Sequence, residues 1–209
     1  MDYIFTPLED WILSFYQHIN IQHPEDLDIM TIASKYNIWV YFFPVTSHAI
    51  ERQGKASIVL DERQSAQQQW EDFGHEMCHI LRHSGNQLLL SNSLIEFQES
   101  KASNFAMHFC IPSFMLTQLN IPNQMQAAID YVSEIFNVTP SIAKKRLKQY
   151  SKQILQQSYN NKFSALMEAS DQFKRIHHIE YCIPTGSSTM LYCHEKGVLG
   201  YIKEANDDI

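Results

Sequence analysis

Apolar and polar residues follow two periods along the chain, one typical of helices and one typical of strands. Thr6-Pro7-Leu8-Glu9 is a capping box with proline at the first helical position, which predicts the start of a helix. The apolar run from Ile38 to Phe43 is typical of a strand and is followed by Pro44. Before residue 61 the sequence predicts helices at 6–19 and 24–36, strands at 38–43 and 56–60, and a turn at Gln53-Gly54.

Two longer helices are predicted in the middle of the chain. From Gln67 to His83 there is no proline, Gly74 is the one glycine, and apolar residues recur at steps of three and four, which predicts a core-facing helix. Its apolar positions are Trp70, Phe73, Met77, Ile80 and Leu81. A break is expected at 84–86, and a second helix is expected from about Leu94 to Ile111, where Pro112 closes it.

Beyond Pro122 the pattern predicts shorter helices and then strands. Thr139-Pro140 supplies a cap and a proline at the first helical position, so a helix, a turn and a second helix are expected around it. The expected elements are helices at 124–136, 141–156 and 163–176, then strands at 180–184, 190–194 and 198–202 with a hairpin turn at 185–189.

The composition is that of an ordinary folded protein. Among 209 residues, 44% are hydrophobic and 19% are charged, which argues against disorder. No stretch approaches the roughly 18 apolar residues of a membrane span, and Met1-Asp2-Tyr3 does not open a signal peptide. A net charge of −7 argues against a surface that mainly binds nucleic acid. The four cysteines form no C-x-x-C pair, so we expect reduced thiols in a cytoplasmic protein that does not contact a membrane.

His75-Glu76-Met77-Cys78-His79 is an H-E-x-x-H sequence inside the first of the two central helices. Positions four residues apart lie on one helix face, so both imidazoles can reach one ion. Zinc in catalytic sites takes three protein ligands and a water, and Glu76 lies where it can act as general base on that water. The alternative is that His75 and His79 are surface or hydrogen-bonded core histidines and Glu76 is a solvated charge. The helical context favours the metal site.

Spacing alone leaves the third ligand open. His83 is eight residues from His75, about 12 Å along a helix axis, so the two cannot share an ion whose bonds are about 2.1 Å long. We expect His83 to interact with the helix end instead. Glu96 and Glu99, near the start of the next helix, are both candidates, and either could equally be a solvated residue. The small Ala102, one turn after Glu99, would let the two helices approach closely.

Two segments of the chain resemble the ImmA/IrrE family of metallopeptidases. They are Phe73–His83, which contains H-E-x-x-H, and Glu99–Ala106, which precedes the hydrophobic and proline pair Ile111-Pro112. The resemblance extends over about residues 25–115. It implies the zinc ligands His75, His79 and Glu99 and the catalytic base Glu76.

The chain departs from the family pattern at two places. Cys78 stands where the family usually has glycine, and Lys101 and Ser103 replace the usual Glu and Asn on either side of Ala102. Lys101 removes a second acidic side chain that would compete for the ion, which makes Glu99 the clearer ligand.

The segment from Tyr131 to Leu147 is similar to the helix-turn-helix-like region that follows the peptidase core in this family. The expected packing positions are Ile135, Val138, Ile142 and Leu147. A local basic run comprises Lys144, Lys145, Arg146, Lys148 and Lys152. A contact with nucleic acid or with a partner is one interpretation of this run. The acidic net charge favours the other interpretation, a solvated face of a small helical bundle.

The C-terminal segment contains further potential metal ligands. Cys182 and Cys193 face each other if the hairpin is centred between Ser187 and Ser188, and His177, His178 and His194 lie nearby in sequence. No spacing among these residues matches a known zinc pattern, so we expect no second metal site here.

The sequence therefore predicts an α+β fold in three parts. These are a zincin-like metallopeptidase core with a small sheet and the H-E-x-x-H helix at 1–118, a helix-turn-helix-like segment at 119–158, and a small C-terminal α/β-hairpin region at 159–209. The expected function is zinc-dependent cleavage of one specific protein, and the resemblance implies a helix-turn-helix repressor of a phage or mobile element. The alternative is a DNA-binding or repressor-binding regulator with a non-catalytic zinc, which Glu76 argues against because a structural zinc site needs no base.

Overall fold

A computed structural model of the chain describes residues 3–52, 54–82, 92–186 and 188–203. The helices are α1 (Pro7–His18), α2 (Ile29–Lys35), α3 (Ala66–Arg82), α4 (Asn92–Cys110), α5 (Ser113–Leu116), α6 (Met125–Ile135) and α7 (Pro140–Ile176), with a 3-10 helix at Pro24–Asp26. The strands are β1 (Ile38–Phe43), β2 (His48–Arg52), β3 (Lys55–Asp61), β4 (Tyr181–Pro184), β5 (Ser188–Cys193) and β6 (Gly197–Lys203). The contacts divide the chain into two compact units, Met1–Ile154 and Leu155–Ile209.

The mixture of helices and two small sheets confirms the predicted α+β class. The zincin-like core, the helix-turn-helix-like segment and the division into 1–118, 119–158 and 159–209 stay predictions. Among the helices that are described, none is both long and apolar enough to cross a membrane.

The predicted capping box at the start of α1 is present. Thr6 accepts a hydrogen bond from the backbone N–H of Glu9, and Glu9 accepts one from the backbone N–H of Thr6 at 2.8 Å. Glu9 also accepts hydrogen bonds from Tyr3 and Ser113. The cap is therefore part of a larger buried polar network.

That network contradicts one part of the sequence interpretation. Arg146, counted above in an exposed basic run, is fully buried and lies 3.2 Å from Glu9, 137 residues away along the chain. Its Nε donates to the backbone oxygen of Ile111 at 3.2 Å. Burial, and then the positive charge of Arg146, lower the pKa of the adjacent His108 to about 4. A buried guanidinium requires a negative partner and hydrogen-bond acceptors, which Glu9 and the backbone oxygen of Ile111 supply.

The first sheet has the order β1-β3-β2, with β1 parallel and β2 antiparallel to β3. The strands β1 and β3 confirm two predicted strands, whereas β2 was not predicted. Its sequence, His48-Ala49-Ile50-Glu51-Arg52, is largely exposed and has only a weak alternation of apolar residues. The predicted turn includes Gln53, which lies outside the described residues, and Gly54, whose φ of 73° glycine adopts readily.

Aromatic side chains from α1, α3 and α4 fill the core of the first unit. The cluster includes Phe15, Tyr16, Trp70, Phe73, Phe105 and Phe109. The Tyr16 hydroxyl donates to the backbone oxygen of Phe109 at 2.8 Å. Burial of each such ring contributes about 1.5–3 kcal/mol, so this cluster fixes the position of α4 against α3.

The helices α3 and α4 approach each other closely at Gly74. A Cβ atom added there would lie 2.9 Å from the Cys110 sulfur and 3.3 Å from the Phe109 ring. Ala102, one of the small residues on α4, is fully buried. The absence of a side chain at position 74 therefore allows the close helix contact that brings α4 to the H-E-x-x-H helix.

Two predicted helices are a single helix in the structure. The prediction placed a break between 156 and 163, but α7 continues through these positions for a total of 37 residues. The segment contains asparagine and serine but no proline or glycine, so nothing in it ends a helix. Of the expected packing positions near its start, Val138 and Leu147 are buried and Ile135 and Ile142 are partly buried against the core.

The second unit contains the C-terminal part of α7 and an antiparallel sheet in the order β4-β5-β6. All three predicted strands are present, shifted by one or two residues. The predicted hairpin turn includes Ser187, which is outside the described residues. Among the residues of this unit that are described, the buried hydrophobic ones are Ile179 and Cys193.

Candidate metal centre

The candidate centre lies where α3 and α4 pack together. From α3 come His75, Glu76 and His79, and from α4 comes Glu99. The two histidines are one helical turn apart, so their rings lie on the same helix face with centroids 4.9 Å apart. Both rings point towards the carboxylate of Glu99.

The ligand atoms of three side chains converge on one point. The Nε2 of His75 lies 3.1 Å from the Nε2 of His79 and 3.0 Å from Oε2 of Glu99. The Nε2 of His79 lies 3.5 Å from Oε1 of Glu99. The side chains of His75 and His79 are 23% and 12% exposed and that of Glu99 is 44% exposed, so the point of convergence is open to solvent on the α4 side.

This arrangement fits a zinc ion. Tetrahedral ligands with bonds of about 2.0–2.1 Å are about 3.3–3.4 Å from one another, close to the separations measured between these three side chains. Two imidazole nitrogens and one carboxylate oxygen are also a donor set that catalytic zinc uses, with a further position open. The residues that the sequence suggested as ligands can therefore hold the ion.

The two glutamates on α4 differ in position. Glu99 belongs to the group around the histidines, whereas Glu96, one turn earlier, is exposed and lies outside that group. His83, which the sequence placed at the helix end, lies outside the described residues. Proximity thus favours Glu99 as the third ligand, in agreement with the resemblance stated above.

Glu76 is buried beside the converging side chains. Burial raises the pKa of its carboxyl, and the negative charges of Glu99 and Asp72 raise it further. The neighbouring His75 and a hydrogen bond from the backbone N–H of Ala49 oppose this rise. A carboxylate with a raised pKa takes a proton from water more readily, which is what a general base requires.

Hydrogen bonds that the sequence did not reveal connect this part of α3 to Ser47 and to the end of β3. Ser47 donates its hydroxyl hydrogen to Asp72 at 2.5 Å and accepts the backbone N–H of Asp61 at 3.1 Å. Asp72 lies one turn before Glu76, on the same face of α3. The i, i+4 spacing of these two acids was visible in the sequence, but no motif indicated Ser47.

A cavity of about 420 Å³ adjoins His75 between α3, α4 and the beginning of α7. The start of α7 is held there by the backbone N–H of Thr139, which donates to Glu71 at 2.6 Å. Residues from all three helices line the cavity, among them Asp72, His75, Asn104, Met107, Ile142 and Lys145. The contribution of α7 could not be read from the sequence, because it depends on the packing of distant segments.

The chain is similar to known proteins along most of its length. A family model described as an IrrE N-terminal-like domain, which represents a peptidase family, matches residues 33–148. Phage-like element PBSX protein XkdA of Bacillus subtilis (strain 168) is 38% identical over 151 residues, which cover 72% of this chain and 76% of that protein. The uncharacterized protein YqaB of the same strain is 39% identical over 160 residues, 77% of this chain and 93% of that protein.

Among solved structures, a Mycobacterium tuberculosis transcriptional regulator aligns with 66% of this chain at a TM-score of 0.47 and 13% identity. The alignment covers 46% of that regulator, so this chain spans less than half of its length.

Proposed function

The chain belongs to the ImmA/IrrE family of peptidases, and we propose that it is a zinc-dependent endopeptidase that cleaves one specific protein. The observation that carries the proposal is the convergence of His75, His79 and Glu99, with the buried Glu76 beside them. Membership of the family implies a peptidase. The zinc dependence, the residue roles and the substrate are the proposed parts.

Each of the four residues has a distinct role in the proposed reaction. His75, His79 and Glu99 would hold the zinc, which when bound polarises the scissile carbonyl and lowers the pKa of water towards about 7. Glu76 accepts the proton of the attacking water and delivers it to the leaving nitrogen of the peptide. Its raised pKa suits both steps, since the same group must first accept a proton and then donate it.

The strand β2 offers a place for the substrate backbone. Ala49 donates its N–H to Glu76, so the outer edge of β2 lies beside the proposed base. Within the described sheet β2 pairs with β3 alone, which leaves the backbone groups of that edge other than the Ala49 N–H available to an extended peptide. The cavity next to His75 can then receive a substrate side chain.

The proposed substrate is a helix-turn-helix repressor of a phage or mobile element, so that cleavage releases the genes it controls. Two observations support this substrate. The family resemblance implies such a repressor, and the name of one relative in Bacillus subtilis places that relative on a phage-like element. A substrate that must fit both the edge of β2 and the cavity next to His75 is restricted in sequence, which also agrees with cleavage of one specific protein.

A second candidate is a regulator that binds the repressor or its DNA and uses the zinc without catalysis. It is favoured by Lys144, Lys148 and Lys152, which are exposed on α7 at four-residue intervals and so form one basic ridge. The burial of a carboxylate beside the histidines speaks for the peptidase, because a zinc that is only structural needs no base.

The deciding experiment incubates the purified protein with repressors encoded beside its gene, with and without a chelator, and follows them by electrophoresis. The peptidase proposal expects about one zinc per chain and fragments that the chelator abolishes. A His75→Ala/His79→Ala double variant should lose both the zinc and the fragments. A zinc-loaded wild-type protein that binds the repressor but leaves it intact would establish the second candidate instead.

A further inference from the structure

The second half of α7 presents to solvent an apolar stripe that is interrupted by Lys162. Its members recur at steps that place them on one helix face, and they are 46–70% exposed: Leu155, Tyr159, Phe163, Leu166, Phe173 and Ile176. The second unit does not cover them with its own core, since the buried hydrophobic residues described there are Ile179 and Cys193. A monomeric protein rarely exposes an apolar patch of this extent.

We propose that this stripe is the interface with a second copy of the chain, whose α7 packs against it in the antiparallel direction with a two-fold axis at Leu166. The area suits such an interface. At roughly 200 Å² for a large side chain, the six exposed residues offer about 700 Å² per chain. A stable interface buries about 800 Å² per partner, so the stripe supplies most of what is required. This inference does not depend on the proposed peptidase activity.

The spacing of the stripe is symmetric about Leu166. Tyr159 and Phe173 each lie seven residues from it, so antiparallel pairing brings Tyr159 of one copy to Phe173 of the other, twice. Phe163 lies three residues before the axis and the small Ala169 three residues after it. A large side chain of one helix therefore meets a small one of the other, which is how two closely packed helices interlock.

Sedimentation equilibrium of the full chain across the micromolar range tests the proposal. The wild-type protein should have twice the mass of one chain. Leu166→Lys places two like charges at the axis and should weaken the dimer by about 30-fold or more, the loss typical of a central interface residue. Ser164→Lys adds the same charge on the opposite face of α7 and should leave the dimer unchanged. Circular dichroism establishes that both variants keep their helices.

Cross-linking tests the position of the axis without relying on a destabilising change. In a Cys182→Ser background, Leu166→Cys should form a disulfide between copies on oxidation, whereas Ser164→Cys should not. A wild-type protein that stays monomeric throughout, or equal cross-linking at 164 and 166, would overturn the proposal. The monomeric result would assign the stripe to a different chain.

Discussion

The two units of the chain bury apolar residues to very different extents. The first unit encloses an aromatic cluster shared by three helices, and the candidate metal centre lies on two of those helices. The second unit, Leu155–Ile209, leaves most of its large apolar residues in contact with solvent. Side chains that pack against a filled core are held in precise positions, as a catalytic centre requires. Exposed apolar surface is instead typical of a region that associates with another chain.

The energetic consequence follows from the cost of ordering the chain. Fixing the backbone of each residue costs about 1–2 kcal/mol, and burying a large apolar side chain returns about 1.5–3 kcal/mol. In the second unit the described buried hydrophobic residues are Ile179 and Cys193, so intramolecular burial alone leaves this unit weakly stabilised. Substitutions in the first unit should therefore affect the proposed chemistry and the stability of the core, whereas a comparable change in the second unit should have little effect.

The catalytic role of the first unit is tested most strongly at Glu76. Glu76→Gln keeps the side-chain shape but cannot accept a proton, so repressor cleavage should fall by about 10²–10⁴-fold. Initial cleavage rates measure this loss, and elemental analysis should find the zinc retained. Glu96→Gln is the matched control and should cleave at the wild-type rate. Near wild-type cleavage by Glu76→Gln would remove it from the role of base.

The proposed zinc site predicts that the two glutamates of α4 differ in their effect on metal affinity. Loss of an outer carboxylate usually weakens zinc binding by about 10–100-fold, and loss of a direct ligand should weaken it by more than that. Glu99→Ala should therefore lose over about 100-fold in affinity, while Glu96→Ala stays close to the wild type. Competition with a chromophoric chelator ranks the two. The reverse ranking would place the ligand one turn earlier on α4.

The stability of the first unit should depend on pH through His108. Its pKa of about 4 in the folded state lies below its ordinary value of about 6.5, so the unfolded chain binds the proton first as pH falls. The associated stability is present above pH 6.5 and is lost between about pH 6.5 and 4, by about 3 kcal/mol.

Urea unfolding followed by tryptophan fluorescence measures this loss, because all three tryptophans, Trp11, Trp39 and Trp70, belong to the first unit. A chelator in every sample removes the contribution of metal release. His108→Gln should flatten the profile in this window. An unchanged slope in that variant would assign the pH dependence to other groups.

A comparison of one glycine from each unit should show a smaller change, in the free energy of unfolding. Gly74→Ala forces a Cβ against Cys110 and Phe109 and should cost about 1–3 kcal/mol of unfolding free energy. Gly200→Ala, on β6, meets nothing within 4 Å and should change stability by less than about 0.5 kcal/mol. Tryptophan fluorescence in urea follows Gly74→Ala, and circular dichroism in urea follows Gly200→Ala, whose unit contains no tryptophan. Equal losses would mean that a Cβ at position 74 does not meet the close contact with Cys110 and Phe109.

The parts of the fold that were predictable are those whose cause lies within a few neighbouring residues. The H-E-x-x-H helix followed from apolar residues spaced at three and four, and the cap of α1 followed from Thr6 and Glu9. The pairing of His75 with His79 also followed from spacing alone. Choosing Glu99 required the family resemblance, because only tertiary packing separates it from Glu96.

The parts that could not be predicted depend on partners far away in the sequence. The strand β2 forms because β3 supplies its hydrogen bonds, although its own residues are mostly exposed. Arg146 appeared to belong to a solvated basic run because its buried partner, Glu9, is at the other end of the first unit. The role of Ser47 beneath the centre likewise depends on Asp72, which is 25 residues away.

The pairing of Glu9 with Arg146 has a consequence for how the protein is made. The two residues are 137 positions apart, so at about 5–20 residues per second the ribosome adds Arg146 roughly 7–27 s after Glu9. Until then the carboxylate of Glu9 lacks the guanidinium that compensates its burial in the folded chain. The first unit can therefore complete its buried polar network only after the beginning of α7 has been synthesised.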